Sequence, residues 1–165
     1  MEKTYSIAGL KVRVTGQQTA RNIASLPGFS VFEYTDPRDA DIIINTDRHI
    51  LTGLPSGIRL LNSYRVMEID HYFWSFDGGY LFEMKRDGAH VVTMLHKSHT
   101  NEVSMSSCNC EISLKFATWV AYSFVAVKMG VIPVHSSAIV NNSHAVLFLG
   151  ESGTGNSTNT RLWIK

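Results

Sequence analysis

The residues best suited to chemistry in this 165-residue chain lie together at Gly150-Glu151-Ser152-Gly153-Thr154-Gly155-Asn156-Ser157. Their spacing follows the phosphate-loop pattern G-x-x-x-x-G-K-[ST], except that Asn156 stands where lysine belongs. In such a loop the glycines let the backbone curl until successive N–H groups point inward at an anion. The helix that follows adds the positive end of its dipole. Lysine supplies a full charge toward the β- and γ-phosphates, and the Ser/Thr hydroxyl helps to hold Mg²⁺. Gly150, Gly153 and Gly155 keep the backbone part, Ser157 keeps the metal-facing hydroxyl, and Thr158 is the hydroxyl beside it. Asn156 keeps a donor but no charge, and it is too short to reach as lysine does. Losing a charge-assisted hydrogen bond costs about 1.5–3 kcal/mol of binding. Losing a preorganised transition-state contact costs roughly 3–4 kcal/mol, or about a hundred- to a thousand-fold in rate. Residual nucleotide binding without efficient phosphoryl transfer is the expectation.

Such a loop needs a strand before it and a helix after it. "HAVLFLG" reads as that strand, paired through Asn141-Asn142-Ser143 with "HSSAIV", and "NSTNTRLWIK" begins as the helix. Upstream, "EISLKFATWVAYSFVAVKMG" is apolar around much of a helical circumference and ends at Gly130, which predicts a central buried helix. Alternation dominates the remainder. Two strands turn at Ala8-Gly9, "QQTARNIASL" forms a short helix stopped by Pro27-Gly28, and "SVFEY" and "ADIIIN" follow as strands. "HYFWSF", "YLFEM", "AHVVTML" and "EVSMS" form an antiparallel meander with turns at Asp77-Gly78-Gly79 and Arg86-Asp87-Gly88. The predicted fold is mixed α/β. An antiparallel β-rich region spans 1–110, and the helix, β-hairpin and start of a phosphate-loop core span 111–165.

The stretch "VHSSAIVNNSHAVLFLGESGTGNSTNTRLWIK" resembles the nucleotide-binding core of the HPr serine kinase/phosphorylase C-terminal domain. That family is related to the ATP-dependent phosphoenolpyruvate carboxykinases. The likeness rests on His135 before the first strand, the strand pair, "GESGTG-x-ST" and the "STxTRLW" continuation, and it covers about a fifth of the chain. The resemblance implies ATP and Mg²⁺ as cofactors and phosphorylation of a hydroxyl on a protein substrate. It places Gly150, Glu151, Ser152, Gly153, Thr154, Gly155, Asn156, Ser157 and Thr158 around the phosphates, with Ser157 toward the metal. Two departures weaken the activity it implies. Lysine is Asn156, and the family's later strand with its acidic pair has no counterpart up to Lys165, so no residue is assigned as catalytic. The alternatives are a non-enzymatic interaction module whose "LWIK" end packs on a partner, including another copy, and a fragment of a longer kinase.

Other constellations carry less. "His96-Lys97-Ser98-His99", with His90, Cys108 and Cys110, offers ligand types for zinc, but a polar loop between strands accounts for the histidines. His135 and Ser137 share a strand face without a third orienting group. Tyr72, Phe73, Trp74, Phe76, Tyr80 and Phe82 read as a hydrophobic sheet face, since no basic residues accompany them for stacking on bases. Fifteen basic against fourteen acidic residues give a net charge of +1, which argues against nucleic-acid and membrane-surface binding. The expected setting is cytoplasmic: there is no secretory signature at the N-terminus, no apolar run of spanning length, and only two cysteines.

Overall fold

The computed structural model describes residues 2–35, 39–47, 55–134, 136–150 and 155–163, and it shows a mixed α/β fold. The chain forms two compact units, 1–131 and 132–165. The first is built on an eight-stranded sheet in the order β1-β2-β3-β8-β7-β6-β5-β4. Its strands are β1 (Lys3–Ile7), β2 (Leu10–Thr15), β3 (Ile42–Asn45), β4 (Arg59–Val66), β5 (Ile69–Phe76), β6 (Gly79–Arg86), β7 (Ala89–Lys97) and β8 (Glu102–Met105). Helices α1 (Gln17–Ala24) and α2 (Glu111–Ala126) complete it. The expected meander is present, but the sheet is not wholly antiparallel. β3 runs parallel to both β2 and β8, and the β2–β3 connection carries α1.

The register shows how one face becomes the core. Val12 pairs with Ile42, Val14 with Ile44, and Ile44 with Val103. Met105 pairs with Met94, Met94 with Phe82, and Met84 with Val92. Because alternate strand residues share a face, these pairs set one apolar band across the sheet. Ala20 and Ile23 of α1 and Leu114, Ala117, Ala121 and Val125 of α2 are buried in the same cluster. α2 packs on β3, β7 and β8, so it belongs with the sheet of the first unit rather than with the C-terminal hairpin, and the division falls after Val131 rather than at 110. The helix passes into a 3-10 turn at Val127–Met129 and stops at Gly130. Its length and composition do not suit a membrane span, and no other helix among the described residues does either.

Two further expectations are corrected. "SVFEY" is not a strand: Ser30–Phe32 is a 3-10 turn, and Glu33 makes a single bridge to Tyr5. Val31 is 78% exposed, and the 3-10 turn instead sets the Phe32 ring edge-on to Phe29, 6.5 Å between centroids. The aromatic run does not form one face, because alternation divides it. Phe73 and Phe82 meet on the core side with ring centroids 4.6 Å apart. Tyr72 and Trp74 stack on the opposite side at 6.2 Å, with the Lys85 ammonium 5.5 Å from the centre of the Tyr72 ring.

The second unit comprises β9 (Ser137–Asn141), β10 (His144–Phe148) and α3 (Asn156–Trp163). β9 and β10 form an antiparallel hairpin turning through Asn142 and Ser143, both at positive φ.

Candidate phosphate site

Strand, connection and helix follow one another as the loop pattern requires. β10 ends at Phe148, residues 149–155 connect, and α3 opens at Asn156. Gly155 takes φ +93°, a backbone conformation that L side chains rarely adopt, with open space where a Cβ would stand. Its carbonyl accepts the Asn159 N–H at 2.9 Å, the first hydrogen bond of α3. The last glycine of the motif therefore sits where the chain turns into the helix.

α3 is held on the hairpin at two points. The Thr160 hydroxyl donates to the Ser137 hydroxyl at 2.7 Å, tying the middle of the helix to β9. The Trp163 and Phe148 rings lie 6.3 Å apart, tying its end to β10. These contacts orient the N-terminal turn of α3 at the end of β10 from which the loop leaves. Asn156, Ser157 and Thr158 form that turn, and the Thr158 side chain is exposed. Gly150 is exposed just beyond β10. Glu151, Ser152, Gly153 and Thr154 lie outside the described residues, as does His135. Of the predicted site, the described residues are thus Gly150 after β10 and Gly155 to Thr158 at the opening of α3. Its chemical potential is that of a helix N-terminus, whose first N–H groups fall outside the intrahelical ladder and suit an anion.

The histidine cluster is not a metal centre among the described residues, where no group of three or more His, Cys, Asp or Glu is placed to hold an ion. His96 does not stand in a polar loop: it is fully buried in β7, facing α2. Its Nδ1 lies 3.1 Å from the Glu102 carbonyl oxygen and its Nε2 lies 2.8 Å from the Lys128 Nζ. The carbonyl can only accept and the ammonium can only donate, so the ring is neutral with its proton on Nδ1. Lys128 also donates to the Ser98 carbonyl at 2.9 Å. Residue spacing gave no sign of this triad, because Lys128 is brought to His96 only by the packing of α2 on β7. His90, by contrast, is largely exposed, with Nδ1 3.8 Å from the buried Glu83 carboxylate. No family model, curated protein or solved structure matches this chain.

Proposed function

We propose that the second unit is a phosphate-loop module of the HPr-kinase-like kind. It binds the phosphates of a nucleotide–Mg²⁺ complex weakly and does not transfer the γ-phosphoryl group efficiently. Gly150 to Gly155 would wrap the phosphates, Ser157 would face the metal, and the N–H groups opening α3 would receive an anionic oxygen. The observation that carries this reading is Gly155 at positive φ immediately before α3, at the end of the connection that leaves β10. Gly16 takes the same positive φ between β2 and α1, so it is the glycine together with the motif spacing and the strand–loop–helix order that supports the reading. Asn156 accounts for the weakness, since a neutral amide replaces a charge that would meet the β- and γ-phosphates.

Calorimetric titration with Mg–ATP tests the site. The native chain should bind weakly, and Asn156→Lys should tighten binding by about ten- to a hundred-fold, the equivalent of one charge-assisted hydrogen bond. Absence of binding by both forms would overturn the reading.

A second reading has its own observation. Leu162 and Trp163, at the end of α3, are each 61% exposed. Apolar side chains that far in water suit an interaction surface, and the module would then act by packing on a partner protein. A monomeric mass in solution that does not change when the last four residues are deleted counts against it.

A further inference from the structure

The two edges of the eight-stranded sheet are finished differently. At β1 the segment after the 3-10 turn covers the outer side. Glu33 bridges Tyr5, the Tyr34 N–H donates to the Thr4 carbonyl at 2.8 Å, and the Lys3 ammonium meets the Glu33 carboxylate at 2.9 Å. β4, the opposite edge, pairs with β5 alone, and every residue of it is exposed. Among the described residues, none from Arg59 to Val66 makes a backbone hydrogen bond outside that pairing. Unpaired N–H and C=O groups along an edge are a template for another strand, and proteins commonly blunt them with lysine, proline or a covering loop. β4 contains neither lysine nor proline. Its exposed apolar side chains, Leu60, Leu61, Tyr64 and Val66, continue into exposed Met67 of the following turn.

Alternation and charge together say which strand fits. Asn62 pairs with Phe73, Tyr64 with His71 and Val66 with Ile69, so these three share one face of β4. It is the face toward α2, because the Tyr64 ring stacks on His71 and His71 meets Phe116 of α2. Ser63 and Arg65 take the other face. An antiparallel copy of β4 centred on Tyr64 matches these faces: Tyr64 meets its own counterpart, Asn62 meets Val66, and Ser63 meets Arg65. With the bulge between Leu60 and Asn62 allowed for, Leu60 falls opposite Met67 and Arg59 opposite Glu68. Neither Arg59 nor Glu68 has an ion-pair partner among the described residues, whereas Arg65 already lies 3.7 Å from Asp70 of its own chain. The antiparallel sense therefore brings the basic start of one strand to the acidic turn of the other. An in-register parallel neighbour would set Arg59 against Arg59 and Glu68 against Glu68.

We propose that β4 is an interaction edge for a second copy of this chain. Two copies pair β4 with β4 antiparallel about a twofold axis at Tyr64, joining their sheets, with Arg59 of each copy at Glu68 of the other. The contact is isologous and closed, so it ends at two copies rather than growing into a filament. Main-chain hydrogen bonds and the apolar side chains supply the affinity, while the charges at the rim set the direction. The surface lies in the first unit and is independent of the phosphate loop and of the exposed end of α3.

Sedimentation equilibrium of the full chain tests it and should show a reversible monomer–dimer equilibrium of micromolar order, as suits a contact of one strand per copy. Amides of 59–66 should exchange more slowly as protein concentration rises through that range, while those of 3–7 do not change. Ser63→Lys, at an exposed position, sets a lysine against each Arg65 and should weaken the dimer about tenfold. Arg59→Glu should weaken it about three- to tenfold, and adding Glu68→Arg should restore it. Deleting the last four residues should leave the dissociation constant unchanged. A monomer at every concentration, the state expected if this edge takes an extended segment of another protein, would overturn the proposal. So would a dimer that Ser63→Lys and Arg59→Glu both leave intact. If Ser63→Lys fails to fold, amide exchange in the native chain and the charge reversal decide alone.

Discussion

Two buried histidines set how this protein responds to acid. His96 is neutral because its two partners demand opposite things of its ring nitrogens, as the donor and acceptor geometry shows. His71 is 4% exposed, stacked under Tyr64 at 4.7 Å and edge-on to Phe116 at 5.0 Å. Burial is the main cause holding both below the ordinary 6.5, and for His96 the Lys128 charge adds to it. Each is freely protonated in the unfolded chain near 6.5 but resists protonation when folded. Between the folded value and 6.5 the unfolded state therefore binds more protons, so stability is fully present above about 6.5 and falls as pH drops below it. The urea midpoint should be lower at pH 5.5 than at pH 8, and His96→Gln should flatten that dependence. A midpoint that does not move between the two pH values would refute the assignment. Nothing in "HKSH" announced this role. A histidine's function here depends on a lysine 32 residues away.

At the scale of elements, what was legible followed from local chemistry. The turns at Ala8-Gly9 and Asp87-Gly88 have both residues at positive φ, and their small or Asp/Gly residues favour it. The β4–β5 hairpin turns through Met67 (φ 50°) and Glu68 (φ 63°), which carry no such signal, and so neither β4 nor its turn was legible. β4 offered no help from burial either, because every residue of it is exposed and its "RLLNSYRV" has no alternation. Parallel pairing of β3 with β8 was equally hidden: it joins segments more than fifty residues apart, and no turn encodes it. The Met67-Glu68 turn carries a testable cost, since left-handed backbone is unfavourable for both residue types by roughly 1 kcal/mol or more each. Replacing Met67→Asn together with Glu68→Gly should raise stability by about 1 kcal/mol, read as an upward shift of the urea midpoint with an unchanged slope. A lowered midpoint would mean that the Met67 or Glu68 side chain makes contacts worth more than the strain.

At the scale of the whole molecule, burial is divided as sharply as the chain is. Every described residue that is buried lies between Thr4 and Ala126; in 132–165 the described residues include none. Val140 is 75% exposed, Leu149 64% and Leu162 61%, although all belong to or flank regular elements. A two-stranded hairpin is marginal in water, and α3, with eight residues, is too short to be stable alone. The sequence pattern disclosed the flanks of the candidate site because strand alternation, the asparagine turn and the glycine before a helix are all local. It could not disclose how little of the hairpin would be covered, which depends on what else packs there. Local opening should therefore be frequent in the second unit and rare in the first. Under native conditions a protease of broad specificity should cut within 132–165 and leave a resistant fragment ending near Val131. A ligand that binds only the closed site slows this cutting in proportion to its occupancy. Mg–ATP should thus protect Asn156→Lys strongly and the native chain slightly, while leaving the 1–131 fragment's own lifetime unchanged. Equal cutting with and without Mg–ATP in both forms would separate the hairpin and helix from any phosphate role, whereas resistance of the whole chain without ligand would show that another surface already covers the second unit.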